Sequence, residues 1–91
     1  MTPEGRVKDA VKKVLKAHNA YYHMAVMNGL GAPTLDFVGC HRGRYFAIET
    51  KAPGKKPTPR QWSTIIDMRT AGGKVFIIDG DLTELKGWLT S

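Results

Sequence analysis

Two acidic residues and one lysine near the middle of the chain combine types and spacing that can do chemistry. Glu49 and Lys51 are two positions apart in an apolar run from Tyr45 to Lys51, which predicts a β-strand. Because side chains alternate along a strand, Glu49 and Lys51 emerge on the same face at its end. Asp36 precedes Glu49 with twelve residues between them.

A tight turn at Arg42-Gly43 would bring Asp36 directly opposite Glu49. Residues 35–40 predict a second strand, and a two-residue turn pairs position 41 with 44 and position 36 with 49. Two bare carboxylates ~5 Å apart repel by roughly 3 kcal/mol at an effective dielectric near 20. Either one carboxylate takes a proton, or a cation lies between them. Lys51 offsets part of the repulsion, and Mg²⁺ or Mn²⁺, which prefer oxygen ligands, would offset more.

This grouping suits the hydrolysis of a phosphodiester bond. A metal ion held by Asp36 and Glu49 would polarise a phosphoryl oxygen and activate water, and the carbonyl of Thr50 could complete the coordination. Lys51 could position the water or stabilise charge on the phosphorus centre. The alternative is an ordinary surface charge pair, which is the usual explanation of an isolated Glu-x-Lys in a strand. The agreement of Asp36, the hairpin and the basic surroundings favours the site.

The elements that position these residues are predicted in the order α-β-β-β-α-β-α, as one domain over residues 1–91. The fold class is α/β (α+β), with a mixed four-stranded sheet flanked by helices. Helices are predicted to begin at Thr2-Pro3, Thr58-Pro59 and Asp81, with capping boxes closed by Gln61 and Glu84. Strands are predicted at Tyr21–Met27, Leu35–Cys40, Tyr45–Lys51 and Lys74–Asp79, and loops at Asn28–Pro33 and Ala52–Pro57.

Three other side chains carry expectations about burial. Trp62 and Trp88 fall at helical core spacing and are expected to pack in the interior. His41 lies in the predicted turn, near the proposed site, and is expected to be solvated.

The charge of the chain is unevenly distributed. The net charge is +6, and the segment through Arg60 holds eleven basic and four acidic residues. This basic half indicates either a polyanionic partner or a solubilising surface. The residues that could follow a DNA backbone are Lys12, Lys13 and Lys16, and, around the site, Arg42, Arg44, Lys55, Lys56 and Arg60.

Composition also bears on the compartment and on zinc. No stretch approaches ~18 consecutive apolar residues, so membrane partners are not expected. Cys40 is the only cysteine, which excludes an intrachain disulfide and a thiolate zinc site. These features favour a cytoplasmic protein, in a bacterial cell or in a host cell if virus-encoded.

Four motifs in order resemble the VRR-NUC (virus-type replication-repair nuclease) domains of the PD-(D/E)XK nuclease superfamily. That branch typically shows a G-x-P-D stretch, an apolar E-x-K strand, a Ser/Thr-Pro-x-Gln helix start and a glycine before a final core strand. Thr34 and Leu35 separate Pro33 from Asp36 here, where the family usually has an adjacent Pro-Asp pair. The matching segments are GAPTLD (31–36), FAIETK (46–51), TPRQ (58–61) and AGGKVFII (71–78).

The resemblance implies a restriction-endonuclease-like core and assigns roles to five residues. Asp36 and Glu49 would be metal ligands and Lys51 the catalytic lysine. Gln61 would reach the same site, or only cap its helix, and Glu4 would add to the metal site, or only complement the helix dipole. The resemblance also implies a homodimer acting on branched DNA such as four-way junctions.

The function expected from these features is a metal-dependent DNA endonuclease, using Mg²⁺ or Mn²⁺, in replication, recombination or repair. Within the enzymes, the alternative is a nicking or restriction-like endonuclease on linear duplex. From another class, the alternative is a non-catalytic basic domain that binds nucleic acid. That domain would explain the charge but would leave the grouping of Asp36, Glu49 and Lys51 as a coincidence.

Overall fold

The computed structural model describes residues 1–25 and 33–91 and confirms the predicted order of elements. The part of the first predicted strand beyond Ala25, and most of the glycine-containing loop before Pro33, lie outside the described residues. The described elements are α1 (Pro3–Ala17), β1 (Tyr21–Met24), β2 (Phe37–His41), β3 (Arg44–Thr50), α2 (Pro59–Thr70), β4 (Lys74–Ile78) and α3 (Thr83–Leu89).

The four strands form one mixed sheet in the order β1-β2-β3-β4. The β1–β2 and β2–β3 pairs are antiparallel, and β4 joins β3 in parallel after the α2 crossover. The register of the β2–β3 hairpin is the predicted one, with His41 opposite Arg44 and Phe37 opposite Ile48. The turn is tight because Arg42 and Gly43 both have positive φ, 54° and 79°, as a two-residue hairpin loop requires.

The two faces of the sheet carry separate apolar clusters. On one face, Val7, Val11 and Leu15 of α1 pack with β-strand residues such as Phe46 and with α3. These two valines and one leucine repeat at helical spacing, which is why one stripe of α1 is apolar. On the other face, residues of α2 and the sheet form the second cluster: Leu35, Val38, Ala47, Ile65 and Val75.

The helix starts were predicted with mixed success. Thr2 caps α1 by accepting a hydrogen bond from the Gly5 N–H at 2.9 Å. Thr58 and Gln61 form the predicted capping box of α2. The prediction for the last helix was wrong.

Two residues expected to shape the last helix do something else. The N-cap of α3 is Leu82, without a side-chain cap, so Glu84 closes no capping box. Asp81 instead accepts a hydrogen bond from the Thr83 N–H at 2.9 Å, a local turn that precedes the helix.

Two burial expectations are also corrected. Trp62 is 37% exposed on α2, because the sheet is covered by the neighbouring stripe that contains Ile65. His41 ends β2, is 7% exposed, and its Nε2 lies 2.8 Å from the Leu89 carbonyl oxygen. Trp88 packs edge-on against Phe46 and Phe76, as expected.

Candidate active site

The end of β3 and the residue before β2 bring two carboxylates together. Asp36 is the residue before Phe37, and Phe37 pairs with Ile48. Extending this register by one residue places Asp36 opposite Glu49. Leu35 is buried in the core and anchors the chain just before Asp36. Asp36 and Glu49 line the same cavity of about 470 Å³, which also touches Thr58, Arg60 and Gln61 at the start of α2.

Asp36 is held in place by Thr50. Its Oδ2 accepts hydrogen bonds from the Thr50 N–H at 3.0 Å and from the Thr50 hydroxyl at 2.6 Å. Thr50 is fully buried, so its side chain has little freedom to turn away. The sequence suggested a ligand role for the Thr50 carbonyl, which stays a prediction. The structure adds a contact that the sequence analysis missed, in which Thr50 orients one acid.

Glu49 is nearly fully buried, and its environment disfavours its charge. Only 3% of the residue is exposed. Burial, and then the neighbouring Asp36 carboxylate, raise the pKa of Glu49 above its ordinary value of 4.5, although Lys51 and the Asp36 backbone N–H act in the opposite direction. Lys51 therefore offsets only part of the cost of a charged Glu49, and a bound cation would offset more.

Lys51 is the cation nearest to that carboxylate along β3. Its Nζ lies 3.6 Å from Glu49 Oε2, and its side chain is only 13% exposed. The backbone of Lys51 is fixed by a hydrogen bond from its N–H to the Ile78 carbonyl at 2.9 Å. The acid and the lysine that the sequence placed on one strand face are thus close enough to interact.

Gln61 combines both roles that the sequence left open. Its side-chain oxygen accepts a hydrogen bond from the Thr58 N–H at 2.9 Å, which completes the capping box. The same residue lines the cavity that Asp36 and Glu49 share. The cap therefore fixes Gln61 at the mouth of the site, and its part in catalysis stays a prediction.

Glu4 is not gathered into a cluster with the other acids. Its Oε2 pairs with the Lys8 ammonium at 3.0 Å, one helical turn along α1. Among the residues that the structure describes, no group of three or more His, Cys, Asp or Glu side chains could hold a metal ion. The expectation that Glu4 adds a third acid to the cluster thus finds no support in the geometry.

Lys8 is a residue near the site that the sequence analysis did not single out. It lies on α1, and its side chain is only 30% exposed. The carboxylates of Asp36 and Glu49 both help to raise its pKa. The available signal was the Glu4–Lys8 spacing of four residues, which favours an ion pair on a helix.

The basic residues expected to bind DNA divide between the site and the rest of the surface. Arg60 lines the cavity, and Lys55 and Lys56 are exposed in the loop after β3. Lys13 and Lys16 are exposed on α1, and Lys12 lies 4.0 Å from Asp9.

The prediction that Arg42 and Arg44 lie around the site was wrong. They flank the hairpin turn at the opposite end of β3. There Arg44 donates to the Ser91 hydroxyl and the Trp88 carbonyl, at 2.9 and 3.2 Å. Arg42 donates to the Ser91 carbonyl at 3.2 Å. Closeness to Glu49 in the sequence did not predict closeness in space, because the two ends of an extended strand lie far apart.

Comparison with known proteins points to one fold. No family model matches the sequence, and no curated protein does. A solved structure described as "VRR_NUC domain" superimposes with a TM-score of 0.78 at 24% sequence identity, over 99% of this chain and 97% of that chain. Since the match extends over nearly all of both chains, it includes the sheet end that holds Asp36, Glu49 and Lys51. The resemblance that the motifs indicated is confirmed at the level of the fold: this chain has the fold of a VRR-NUC domain.

Proposed function

We propose that this protein is a metal-dependent DNA endonuclease that hydrolyses phosphodiester bonds in branched or structured DNA, such as four-way junctions. The single observation that carries the proposal is the buried Glu49 carboxylate, beside Asp36 and 3.6 Å from Lys51, facing a cavity of about 470 Å³. Burying a carboxylate beside a second acid is costly for a fold, and such groups are concentrated at functional sites.

Asp36 and Glu49 fit a divalent cation of the Mg²⁺ or Mn²⁺ type. Their oxygens are the ligands such ions prefer, and Mg²⁺ commonly uses only one or two carboxylates, with water and substrate phosphates completing its shell. The described hydrogen bonds to the Asp36 carboxylate go to Oδ2, so Oδ1 can serve as a metal ligand. A cation held by Asp36 and Glu49 would supply the charge that polarises a phosphoryl oxygen and activates water.

The other residues of the site orient Asp36 or supply positive charge to the DNA phosphates. Thr50 holds Asp36, and the Lys51 ammonium stabilises negative charge that develops on the phosphorus centre. Arg60 lines the cavity, and we expect its guanidinium to bind a DNA phosphate there. Lys55 and Lys56 extend this positive edge along the loop after β3.

The preference for branched DNA and the dimeric state rest on the resemblance of the sequence motifs to VRR-NUC domains, whose fold this chain shares. In a two-fold dimer, two sites can cut two strands. The described part of the chain has no helix with the length and apolar character to span a membrane. A cytoplasmic location stays a prediction from composition.

The test is incubation of the purified protein with junction, linear duplex and single-stranded DNA, in Mg²⁺, Mn²⁺ or EDTA. We expect cleavage of the junction in either metal, none in EDTA, and a dimer by light scattering. Glu49→Gln abolishes cleavage, whereas Glu84→Gln, which changes an exposed glutamate of α3, does not. Equal cleavage of linear duplex would favour a restriction-like enzyme. Binding without cleavage in both metals would leave a nucleic-acid-binding domain.

A further inference from the structure

The cavity beside the acid pair is much larger than a metal site requires. Its volume is about 470 Å³, whereas a divalent cation with four water molecules fills only ~120 Å³, at ~30 Å³ for each water. Cavities of roughly 300–1,000 Å³ are typical of sites that bind a small organic molecule. The cavity that Asp36 and Glu49 line therefore has room for a further chemical group of the substrate.

One wall of this cavity is apolar. Leu35, Ala25 and Pro33 line it on the side of the sheet, and Leu35 is only 2% exposed. Thr64 of α2 also lines the cavity and is only 8% exposed, so part of the lining belongs to the protein interior. Such a lining favours a group with apolar faces.

The charges around the cavity disfavour a second phosphate inside it. Among the described residues that line it, Arg60 is the only cation, whereas Asp36 and Glu49 are acids. A phosphate deep in the cavity would be repelled by both carboxylates. An uncharged ring avoids this repulsion, so the lining favours a neutral part of the DNA.

Three polar side chains of the lining have hydrogen-bonding capacity beyond their own contacts. The Gln61 side-chain oxygen accepts from the Thr58 N–H at 2.9 Å, so its amide group can donate to a ligand. The Thr58 hydroxyl oxygen accepts from the Gln61 N–H at 3.2 Å, so this hydroxyl can donate as well. The Thr64 hydroxyl donates to the Arg60 carbonyl at 3.4 Å, so its oxygen can accept. Donors and acceptors beside an apolar wall match a nucleobase, which has flat apolar faces and an edge with both kinds of group.

We propose that this cavity binds one unstacked nucleobase of the DNA, next to the phosphodiester bond that is cleaved. The proposal rests on the proposed nuclease function and deepens it, because a base can enter the cavity only after it leaves its base pair. Unpairing costs least where a nucleotide is mismatched or already single-stranded. The substrate class is therefore DNA with an unpaired nucleotide at the cleavage site, which a branch point or a bulge provides.

The experiment uses a linear duplex with one bulged 2-aminopurine nucleotide, a fluorescent analogue of adenine. After rapid mixing in Mg²⁺, before cleavage accumulates, we expect the quenching of this base by acrylamide to fall by at least about twofold, because binding cavities bury most of a ligand. A paired 2-aminopurine far from the bulge is the control and should show no change. The protein should cut at the bulge with kcat/KM about tenfold or more above that for a fully paired duplex, or for a bulge whose nucleotide lacks its base.

A matched pair of variants separates the cavity from the rest of the protein. Thr64→Leu fills the cavity from its buried side and should remove both the protection from acrylamide and the preference for the bulge, while slow cleavage of paired duplex persists. Thr70→Leu makes the same change at an exposed position of α2 and should leave both effects unaltered. A general defect would instead lower the cleavage of bulged and paired duplex by the same factor. Thermal melting identifies a variant that fails to fold, and Thr34→Phe, which fills the same cavity from the segment before β2, then replaces Thr64→Leu.

The outcomes distinguish this inference from the nuclease function. If the unaltered protein cleaves DNA but lacks either the protection of the base or the preference for a bulge that carries one, the inference is overturned while the nuclease function stands. If no DNA is cleaved in Mg²⁺ or Mn²⁺, the nuclease function is overturned, and the acrylamide measurement alone decides whether the cavity binds a base.

Discussion

The two ends of β3 carry charged side chains in different environments: an arginine with several hydrogen-bond acceptors at one end, and a buried acid beside another acid at the other. At the hairpin end, Arg44 donates to the Trp88 carbonyl and the Ser91 hydroxyl, and its guanidinium lies 4.2 Å from the Trp88 ring centroid. At the other end, about 16 Å away by the rise of a strand, Glu49 lies buried beside Asp36 and near Lys51.

The difference lies in what compensates each charge. The arginine end is satisfied by the carbonyls at the end of α3, where the helix dipole favours cations. At the acid end, burial and the Asp36 carboxylate outweigh Lys51, so the charge of Glu49 stays unfavourable. Compensated charge stabilises a fold, whereas an excess of one sign beside a cavity indicates a ligand-binding site. Mutations can therefore change one end of β3 and leave the other intact.

Replacement of Glu49 should have the largest effect. Glu49→Gln removes one of the two proposed metal ligands and should lower kcat for DNA cleavage by about 10³-fold or more. The same change removes an unfavourable buried charge, so the metal-free protein should melt at a higher temperature. Steady-state cleavage and thermal melting in EDTA measure the two effects. A variant that cleaves normally would refute the catalytic assignment of Glu49.

The orientation of Asp36 by Thr50 gives the next largest effect. Thr50→Val keeps the shape but removes the hydroxyl that donates to Asp36 Oδ2 at 2.6 Å. Loss of such an orienting partner typically lowers metal affinity or activity by about 10- to 100-fold. Thr50→Ser retains the hydroxyl and should stay active, as cleavage rates at saturating Mn²⁺ will show. Equal rates for the two variants would mean that the hydroxyl is not needed.

Removal of Arg44 should affect stability and not chemistry. Arg44→Ala loses several hydrogen bonds and the contact with Trp88, and should lower the free energy of unfolding by about 2 kcal/mol. For a domain of this size, that corresponds to about 10 °C in melting temperature. Arg42→Ala, which loses one exposed hydrogen bond, should change stability by less than about 0.5 kcal/mol. Loss of cleavage by Arg44→Ala well below its melting temperature would contradict the comparison.

The pH dependence of stability should show the smallest effect. Because the folded state raises the pKa of Glu49, it holds this proton at higher pH than the unfolded chain does. The free energy of unfolding of the metal-free protein should therefore decrease as pH rises from about 4.5 through the raised pKa of Glu49. The slope is at most about 1.4 kcal/mol for each pH unit. Urea unfolding across this range should show the decrease, and Glu49→Gln should lack it.

Much of the fold followed from local patterns. Valines and a leucine at helical spacing defined α1, and the Thr58-Pro59 start with Gln61 defined α2. The hairpin register followed from turn length, since a two-residue loop fixes which residues face each other. Boundaries were less accurate: β2 begins two residues later than expected and extends to His41.

The errors share a cause in long-range packing. His41 and Arg44 form hydrogen bonds with backbone carbonyls of α3, which lies more than forty residues away in sequence. Trp62 and Ile65 both fit an apolar helical stripe, and only the position of the sheet decided that Ile65 is the buried one. The ion pair of Glu4 with Lys8 was predictable from the spacing of four residues, but the hydrogen bonds from Thr50 to Asp36 were not.

The sequence by itself determined which residues share a strand face and how β2 pairs with β3, because alternation and turn length are local properties. It thereby placed Asp36, Glu49 and Lys51 at one end of the sheet. Only the tertiary structure decided how these charges are compensated. Burial of Glu49 and the hydrogen bonds from Thr50 to Asp36 depend on tertiary packing, which brings together residues that no local pattern relates.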